Sequence, residues 1–469
     1  MQENVQPVLN IRVTPLGGDE GGEGMKWNIK GSGLVLWACC LTLFSAAGAA
    51  PRNYVVQGDI VYTPACGEAK ILPQGYLVVN EGKVQGAYDK LPQDYEGWKK
   101  QDCRGKLILP GFCDLHVHAA QYRQIGLGMD EALLEWLEKY TFPEEQKFSD
   151  TAYAEQVYGD FAAELAKCGT TRSAVYGTIH RQGAEILAKK LAERGLGAYV
   201  GKVNMDRNAP DYLRETSADS LAETERFVKA PVWTDLVRPI LTPRFAPSVT
   251  PELLQKLGAL AKRENLPVQT HLSENKAEIQ WVAELFPKIR EYPKVYEHFG
   301  LYGDTPTLMA HCIHMNDAQI QEMVSRGVYP VFCPESNLNL TSGIMPVRRF
   351  LQAGAKVALG SDVGAGHDLF MPHVIVRAIQ VSKVRAMDYP EEKALTLPEA
   401  FYLATKGGGA FFGKVGSFEP DYDADFLVVK TPKALAEHSV AERWQYFIYH
   451  GSSEDITARY VAGKPLRLP

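Results

Sequence analysis

Two histidines after a short apolar run are the residues whose types and spacing best suit chemistry. The run 107–113 predicts a strand, and His116 and His118 follow it two positions apart. Side chains two residues apart on extended backbone point to the same side. Neutral imidazole is the commonest protein ligand for zinc and related metals. The pair alone could equally be two surface histidines, so a metal site here needs further ligands.

Three more candidate ligands each follow another strand-like run, namely His271, His311 and Asp362. Three imidazoles and one carboxylate are a plausible set for a catalytic divalent metal, with one position left for water. Each histidine taken singly could instead be a hydrogen-bonded residue at the end of a strand. Because all the candidates stand at strand ends, the sequence predicts that they meet at one metal ion.

Strands and helices alternate along the middle of the chain, which predicts an α/β fold. Eight strands separated by helices are the count of a TIM (β/α)8 barrel, whose catalytic groups stand at the C-terminal ends of the strands. One helix has a clear start, with Thr250 as N-cap and Pro251 at the first helical position. Besides the strand that carries the histidine pair, the predicted strands are 170–177, 197–205, 237–243, 266–271, 307–311, 327–333 and 356–360.

The two ends outside this middle part are rich in β-forming residues. Runs at 54–62 and 76–80 are bounded by polar turns, and similar runs lie at 425–429 and 458–464. They predict a small β-sandwich domain built from both termini. The predicted domains are an N-terminal extension at 1–50, the first part of the β-sandwich at 51–108, a metal-dependent (β/α)8 hydrolase barrel at 109–415 and the second part of the β-sandwich at 416–469.

The first fifty residues differ in composition from the rest. Lys26 and Lys30 precede an uncharged run, 31–50, that ends in small residues. This layout is typical of a secretory signal, and the run also has roughly the 20 residues that a membrane span needs. A start site placed upstream of the true one would explain it as well. We expect a membrane partner only if the run is kept as an anchor, and export only if it acts as a signal.

The amino-acid composition narrows the possible classes of protein. The chain has 469 residues, of which 45% are hydrophobic and 23% charged, as in ordinary globular proteins. Its net charge of −6 gives no electrostatic reason to expect nucleic acid as a partner. The eight cysteines are scattered without a CxxC pair. This spread favours buried thiols in a reducing compartment and predicts a cytoplasmic location.

Four short segments carry a resemblance to a known family. They are Leu134-Glu135-Trp136-Leu137 with Tyr140-Thr141-Phe142-Pro143-Glu144, His118-Ala119-Ala120-Gln121-Tyr122, Thr242-Pro243-Arg244-Phe245 and His271-Leu272-Ser273-Glu274-Asn275. The chain from about Tyr54 to its end resembles the amidohydrolase superfamily, and the four segments resemble its branch that deaminates guanine. Many relatives hold two metals bridged by a carboxylated lysine after the fourth strand. Arg244 stands there in this chain, which favours a single metal, and Lys202 is expected to be a structural or solvated lysine.

The resemblance implies a zinc-dependent homodimer that hydrolyses guanine to xanthine and ammonia in purine catabolism. The implied cofactor is one zinc ion per chain, with the metal ligands His116, His118, His271 and Asp362. The implied catalytic residues are Glu274 as proton shuttle, His311 in contact with the bound water, and Asp362 as acceptor of the water's proton. The implied substrate-binding residues are Gln121, Arg244, Phe245 and Glu274.

The chemistry of the side chains also supports the predicted substrate-binding roles. Arg244 offers a fixed cationic fork suited to a carbonyl oxygen. Gln121 has both a donor and an acceptor for the mixed edge of a purine, and Phe245 can stack on a planar ring. Each could instead be an ordinary surface or core residue. The adjacency of Arg244 and Phe245 after a strand favours binding.

Two other functions stay open from the sequence. One is a deaminase or chlorohydrolase of the same branch that acts on another heterocycle, such as an adenosine derivative, cytosine or a triazine. The other is a non-catalytic scaffold protein on the same fold, although such relatives typically lose metal ligands. His314 and His367 are further histidines for which the sequence indicates no role.

Overall fold

A computed structural model describes residues 52–466 and Leu468. The predicted N-terminal extension at 1–50, with its signal-like or anchor-like run, lies outside the described residues. In the part of the chain that is described, no helix is both long and apolar enough to cross a membrane.

The strands occupy both ends and the middle of the described chain. In chain order they are β1 (Asn53–Ala65), β2 (Glu68–Asn80), β3 (Lys83–Tyr88), β4 (Lys99–Pro110), β5 (Phe112–His118), β6 (Thr170–Tyr176), β7 (Gly197–Gly201), β8 (Val203–Asn204), β9 (Val237–Pro239), β10 (Thr242–Pro243), β11 (Val268–Leu272), β12 (Thr307–His311), β13 (Tyr329–Phe332), β14 (Ala358–Leu359), β15 (Phe426–Val429), β16 (Ile456–Val461) and β17 (Lys464–Pro465).

The helices lie mainly between the strands of the middle part. In chain order they are α1 (Leu133–Trp136), α2 (Phe142–Glu145), α3 (Thr151–Lys167), α4 (Arg181–Arg194), α5 (Ser217–Val228), α6 (Pro251–Glu264), α7 (Lys276–Leu285), α8 (Tyr292–His298), α9 (Asp317–Ser325), α10 (Pro334–Asn339), α11 (Val347–Gln352), α12 (Met371–Asp388), α13 (Leu397–Tyr402) and α14 (Val440–His450). A π turn, Leu137–Thr141, joins α1 to α2. The predicted start of α6 is confirmed, because Thr250 Oγ1 accepts the Leu253 N–H at 3.3 Å.

One mixed sheet, called the terminal sheet below, takes strands from both ends of the described chain. Its order is β17-β16-β15-β4-β1-β2-β3. β1 pairs antiparallel with β2 and parallel with β4, and β15 pairs antiparallel with β4. Tyr54, Val56, Ile60 and Phe426 are buried together in its apolar cluster. Both ends thus share one sheet, while the predicted β-sandwich and the domain limits stay predictions.

Eight of the middle strands form two four-stranded parallel sheets that hydrogen bonds join at both edges, and β8 and β10 form a separate two-stranded parallel sheet. The orders of the four-stranded sheets are β5-β6-β7-β9 and β11-β12-β13-β14. At one edge the Gln269 N–H donates to Leu241 O at 2.9 Å, and at the other the Asp362 N–H donates to His116 O at 2.8 Å. Each of the eight predicted strands overlaps one or two of these observed strands. The prediction of an α/β fold with parallel strands in its middle part is confirmed.

The strand predicted at 107–113 is divided in the structure. β4 and β5 are separate elements because the chain leaves the terminal sheet at Gly111 and enters the first parallel sheet. The Gly111 N–H still donates to Asp425 O, next to β15, at 3.0 Å. A Cβ added at Gly111 would lie 2.3 Å from Thr171 Cγ2, so only glycine fits this crossing. Hydrophobicity does not mark the crossing, since both halves are buried, and the Pro110-Gly111 pair is its local signal in the run.

Two other predicted strands are interrupted. The run 197–205 is split into β7 and β8 at Lys202, and the run 237–243 is split into β9 and β10. Lys202 is buried, and its Nζ pairs with Glu215 Oε2 at 2.7 Å. Burial lowers the pKa of Lys202, while Glu215 acts in the opposite direction. Lys202 thus forms an ion pair whose lysine is buried and whose glutamate is partly exposed, so the lysine is not solvated.

The crossing at Gly111 generates a stability prediction. Gly111→Ala places a methyl group against Thr171 and should lower the free energy of unfolding by about 1–3 kcal/mol, the usual cost of overpacking a dense interior. Gly97→Ala is the matched control, because a Cβ there meets nothing within 4 Å. Denaturant unfolding of both variants checks this, and equal stability of the two would contradict the steric argument.

Candidate active site

The five predicted metal-site residues converge at the C-terminal ends of the middle strands. His116 and His118 end β5, His271 lies near the end of β11, His311 ends β12, and Asp362 follows β14. The distance from His118 Nε2 to both His116 Nε2 and His271 Nε2 is 3.3 Å. Asp362 Oδ1 lies 3.2 Å from His116 Nε2 and 3.4 Å from His118 Nε2. The structure therefore brings all five side chains together.

These distances fit ligands that share one metal ion. Zinc bonds to imidazole nitrogens at about 2.0–2.1 Å, and ligand atoms at the corners of such a tetrahedron are ~3.3 Å apart. Four pairs of donor atoms have this spacing, at 3.2–3.4 Å: His116–His118, His118–His271, His116–Asp362 and His118–Asp362. The donor set is also of the kind that binds zinc. We therefore regard the four residues as a candidate metal centre.

Hydrogen bonds on the far side of two imidazoles turn their Nε2 lone pairs inward. His271 Nδ1–H donates to Arg244 O at 2.6 Å, and His311 Nδ1–H donates to Asn337 Oδ1 at 2.9 Å. A proton on Nδ1 leaves Nε2 free as an acceptor or ligand. His311 Nε2 is buried and has no hydrogen-bond partner among the described residues. A buried nitrogen of this kind calls for a metal ion or a water molecule.

Burial sets the charge of the cluster. It lowers the pKa of His116, and it lowers the pKa of His118 and His271 well below its usual value. These imidazoles are therefore neutral near pH 7 and can offer lone pairs. Burial would raise the pKa of Asp362, but His116 and the other imidazoles hold it low, so the carboxylate stays ionised. The resulting buried negative charge is one that a divalent cation would offset.

His311 and Glu274 form a second, partly charged pair next to the cluster. His311 Nε2 lies 3.5 Å from Glu274 Oε2 and 3.8 Å from Asp362 Oδ2. Burial would lower the pKa of His311, but these two carboxylates raise it. Burial raises the pKa of Glu274 to about 7, and Ser342 Oγ donates to its Oε1 at 3.1 Å. A carboxyl group that titrates near neutral pH can both accept and release a proton.

Asp114 is a buried carboxyl group that the sequence analysis missed. Its Oδ1 accepts the Ser361 N–H at 3.0 Å and the His116 N–H at 3.3 Å, and its Oδ2 accepts the Ser361 hydroxyl at 2.5 Å. Burial raises the pKa of Asp114 to about 7. Because it ties β5 to the segment before Asp362, it fixes the relative position of two candidate ligands. Its place two residues before His116 was the only available signal.

The predicted substrate-binding residues line one wall of the same site, where an unpredicted carboxylate holds two of them. Gln121 Nε2 donates to Glu145 Oε1 at 2.9 Å, and Arg244 Nη1 donates to Glu145 Oε2 at 2.6 Å. All three side chains are buried. The Arg244 guanidinium also lies 5.4 Å from the ring centroid of Phe142. Glu145 therefore balances the charge of Arg244.

A cavity connects the candidate metal centre to these residues. Like other small-molecule sites, it combines apolar walls with a few polar groups. Its lining residues are His118, Gln121, Leu133, Trp136, Leu137, Arg244, Phe245, His271, Glu274, His311, Leu340, Asp362 and Ala365. Trp136 and Leu137 belong to a segment that carried the family resemblance, so that segment forms part of the wall.

Three other residues near the centre lie outside the cavity wall. His314 Nε2–H donates to Ser342 O at 2.9 Å, and His367 Nδ1 accepts from Asn339 Nδ2 at 3.2 Å. Both histidines thus have local hydrogen bonds. Cys333 lies close enough to His311 and Asp362 to form a ligand group with them. Its Sγ–H donates to Val331 O at 3.7 Å, and the residue does not line the cavity.

Parallel strands with histidines and an aspartate at their C-terminal ends are typical of metal-dependent enzymes of the α/β class. The amidohydrolase family profile matches residues 107–465, and the chain belongs to that family.

Comparisons with individual proteins point in the same direction. The chain is 36% identical over 442 residues to the guanine deaminase of Dictyostelium discoideum, covering 88% of this chain and 97% of the relative. It is 45% identical to a guanine deaminase from C. acetobutylicum whose crystal structure holds guanine in the active site. That structure has a TM-score of 0.87 and matches over 88% of this chain and 100% of its own. An adenosine deaminase from Xanthomonas campestris with bound zinc has a TM-score of 0.75 at 22% identity, over 89% of this chain and 93% of its own, which shows likeness of fold alone.

The geometry of the centre generates a prediction about metal content. The purified protein should hold about one divalent ion per chain, because the donor atoms surround a single point at zinc-like spacing. His116→Ala and Asp362→Ala should each lose the ion and abolish turnover. His367→Ala is the control, since His367 is half-exposed and outside the cavity, and it should keep the ion. Elemental analysis checks this, and two ions per chain or full activity after chelation would contradict it.

Proposed function

We propose that this chain hydrolyses guanine to xanthine and ammonia with one zinc ion per chain. The observation that carries the proposal is the single cavity that joins the His–Asp cluster to the buried donors Gln121 and Arg244. The same cavity contains Glu274, whose pKa of about 7 suits proton transfer. The guanine deaminases to which the chain is similar over most of its length support the choice of substrate.

The proposed architecture is a (β/α)8 barrel, 109–415, attached to a β-sandwich domain of 51–108 and 416–469. The hydrogen bonds between the two parallel sheets at both edges support the barrel. The proposed ligands are His116, His118, His271 and Asp362, and the spacing of their donor atoms supports one ion. A homodimer and a cytoplasmic location remain predictions from the resemblance and the cysteine pattern.

In the proposed mechanism, Glu274 moves the protons. Bound zinc would supply the Lewis acidity that makes a water molecule nucleophilic near pH 7. Glu274 takes one proton from that water and passes it to the ring nitrogen next to C2 as the water oxygen bonds to C2. The second water proton, held by Asp362, returns through Glu274 to the exocyclic amine, so that the C2–N bond breaks and ammonia leaves. The raised pKa of Glu274 keeps both protonation states accessible at neutral pH. This separation of proton shuttle from ligand is usual in zinc deaminases.

His311 and Asp362 complete the proposed catalytic side. His311 Nε2 faces the cluster and has no hydrogen-bond partner among the described residues, although Glu274 lies 3.5 Å away, so it can orient the water and stabilise developing charge. Asp362 Oδ1 contacts two imidazole nitrogens, whereas its Oδ2 points towards His311 at 3.8 Å. The second oxygen can thus accept the second proton of the water while the first acts as a ligand.

The substrate side is proposed to recognise a purine with a carbonyl group at C6. Arg244 and Gln121 present N–H donors from buried positions, which suit an acceptor such as O6. Phe245 lies in the cavity wall and can stack on the ring. An adenosine derivative, cytosine or a triazine would offer a different edge to these donors. Ammonia release from guanine, adenine, cytosine and guanosine separates these alternatives, and its absence with every base favours the scaffold alternative.

Glu274→Gln should separate proton transfer from metal binding. The amide keeps the shape and the contact with Ser342 but cannot shuttle a proton. We expect the metal content to stay unchanged while kcat falls about 10²–10⁴-fold, the range of general acid–base catalysis. Parallel measurement of metal content and initial rates checks this. If the variant loses both the ion and activity, Glu274 is a ligand or a structural residue instead.

Substrate choice should depend on the Arg244 side chain. Adenine carries an amino group where guanine carries O6, so its donors would face the donors of Arg244, and such sites reject the wrong analogue by about 10⁴-fold or more. Arg244→Met should lower kcat/KM for guanine about 10–100-fold, the equivalent of one hydrogen bond to a charged group. Metal content should not change.

Arg244→Lys is the matched variant, because lysine keeps the charge opposite Glu145 but loses the planar fork. It should retain thermal stability while guanine turnover still falls. Comparable turnover of adenine by the parent protein would contradict the guanine assignment. Unchanged guanine turnover in both arginine variants would show that Arg244 does not contact O6.

A further inference from the structure

Glu145 stands behind two residues of the cavity wall and contacts both of them. Its two carboxylate oxygens are divided between Gln121 Nε2 at 2.9 Å and Arg244 Nη1 at 2.6 Å. Only 2% of its side chain is exposed. Gln121 and Arg244 line the cavity, whereas Glu145 lies outside the wall that the described residues define. Glu145 can therefore act on a ligand only through its two partners.

The carboxylate fixes the orientation of the Gln121 amide. An ionised carboxylate accepts hydrogen bonds but cannot donate them, so it selects the NH₂ end of the amide. The opposite end is selected by the Gly364 N–H, which donates to Gln121 Oε1 at 3.2 Å. The amide is thus held from both sides in one of its two orientations. One N–H of the NH₂ group remains for a ligand in the cavity.

The same carboxylate sets the charge and position of Arg244. A buried guanidinium without a counter-charge would be costly, and Glu145 supplies that charge at hydrogen-bond distance. The contact uses Nη1 and leaves other guanidinium N–H groups for the cavity. Because one carboxylate holds both side chains, the free donors of Gln121 and Arg244 keep a fixed relative position. Two donors at a fixed position suit a carbonyl oxygen on a rigid ring.

We propose that Glu145 is a positioning residue that sets the specificity of the cavity for a ring carbonyl group, through Gln121 and Arg244. This inference rests on the proposed deamination of guanine. Removing the carboxylate leaves the Gln121 amide held by the Gly364 N–H alone and leaves Arg244 without its counter-charge. We then expect weaker binding of ligands that present a carbonyl oxygen at C6 and unchanged binding of ligands that lack one.

Glu145→Gln tests this with two ligands that differ at C6. Guanine has the carbonyl group, and 2-aminopurine has the same amine at C2 without it. The variant should lower kcat/KM for guanine about 10–100-fold, mainly through KM, while the inhibition constant of 2-aminopurine against guanine changes less than about 3-fold. Metal content should remain that of the parent.

The neighbouring carboxylate provides the matched control. Glu144 lies on the same helix and is buried, but its partners are Tyr153 and Lys147. Glu144→Gln should leave the guanine kinetics unchanged. Glu145→Asp keeps the charge but is one methylene shorter, so it cannot reach both partners. Glu145→Asp should lower kcat/KM for guanine selectively as well, but by a smaller factor. If Glu145→Gln does not fold, Glu145→Asp serves as the test.

A double-mutant cycle gives a second measure that needs no analogue. If Glu145 acts through Arg244, then Glu145→Gln lowers guanine kcat/KM less in the Arg244→Met background than in the parent. Equal losses for guanine and 2-aminopurine, unchanged guanine kinetics, or full additivity in the cycle would overturn the inference. Absence of guanine turnover in the parent would overturn the proposed function itself, so the two failures are distinguishable.

Discussion

The close approach of three imidazole nitrogens and one carboxylate oxygen in a buried space is the constraint on which the site depends. Contacts of 3.2–3.4 Å between these atoms place an ionised Asp362 away from water. A buried charge without compensation costs several kcal/mol. His311 and Asp362 also have positive φ angles of 71° and 49°, and non-glycine residues there cost of order 1–3 kcal/mol each. The surrounding hydrogen bonds must hold this arrangement in place.

The bonds that hold the ligands are also bonds that connect the two parallel sheets. The Asp362 N–H donates to His116 O, and the His118 N–H donates to Val363 O at 2.7 Å. Asp114 adds side-chain bonds to Ser361 and to the His116 N–H. Apart from the Asp114–His116 bond, which lies within β5, these contacts join β5 to the segment after β14, far apart in the sequence. The metal side is therefore stable only when the edges of the sheets are joined, which couples folding to the geometry of the centre.

The sequence predicted the strands and the candidate ligands because their signals are local. A His-x-His pair after an apolar run, or a histidine ending another run, needs only the strand period to be recognised. Glu145 and the Gly111 crossing could not be found in this way. Glu145 meets Arg244 across 99 positions, and its neighbour Glu144 is an identical residue with different partners. At Gly111 the decisive fact is the distance to Thr171, which depends on how the sheets pack.

Arg244 links the two sides of the site through different parts of one residue. Its backbone carbonyl accepts the His271 Nδ1–H at 2.6 Å and so sets the tautomer of a candidate ligand. Its guanidinium pairs with Glu145 and lines the cavity. Because the carbonyl belongs to every residue type, changes of the side chain alter the substrate wall without removing the bond to His271. The metal centre therefore does not require a particular side chain at this position. Substitutions here can change the substrate of a family member while the metal centre stays the same.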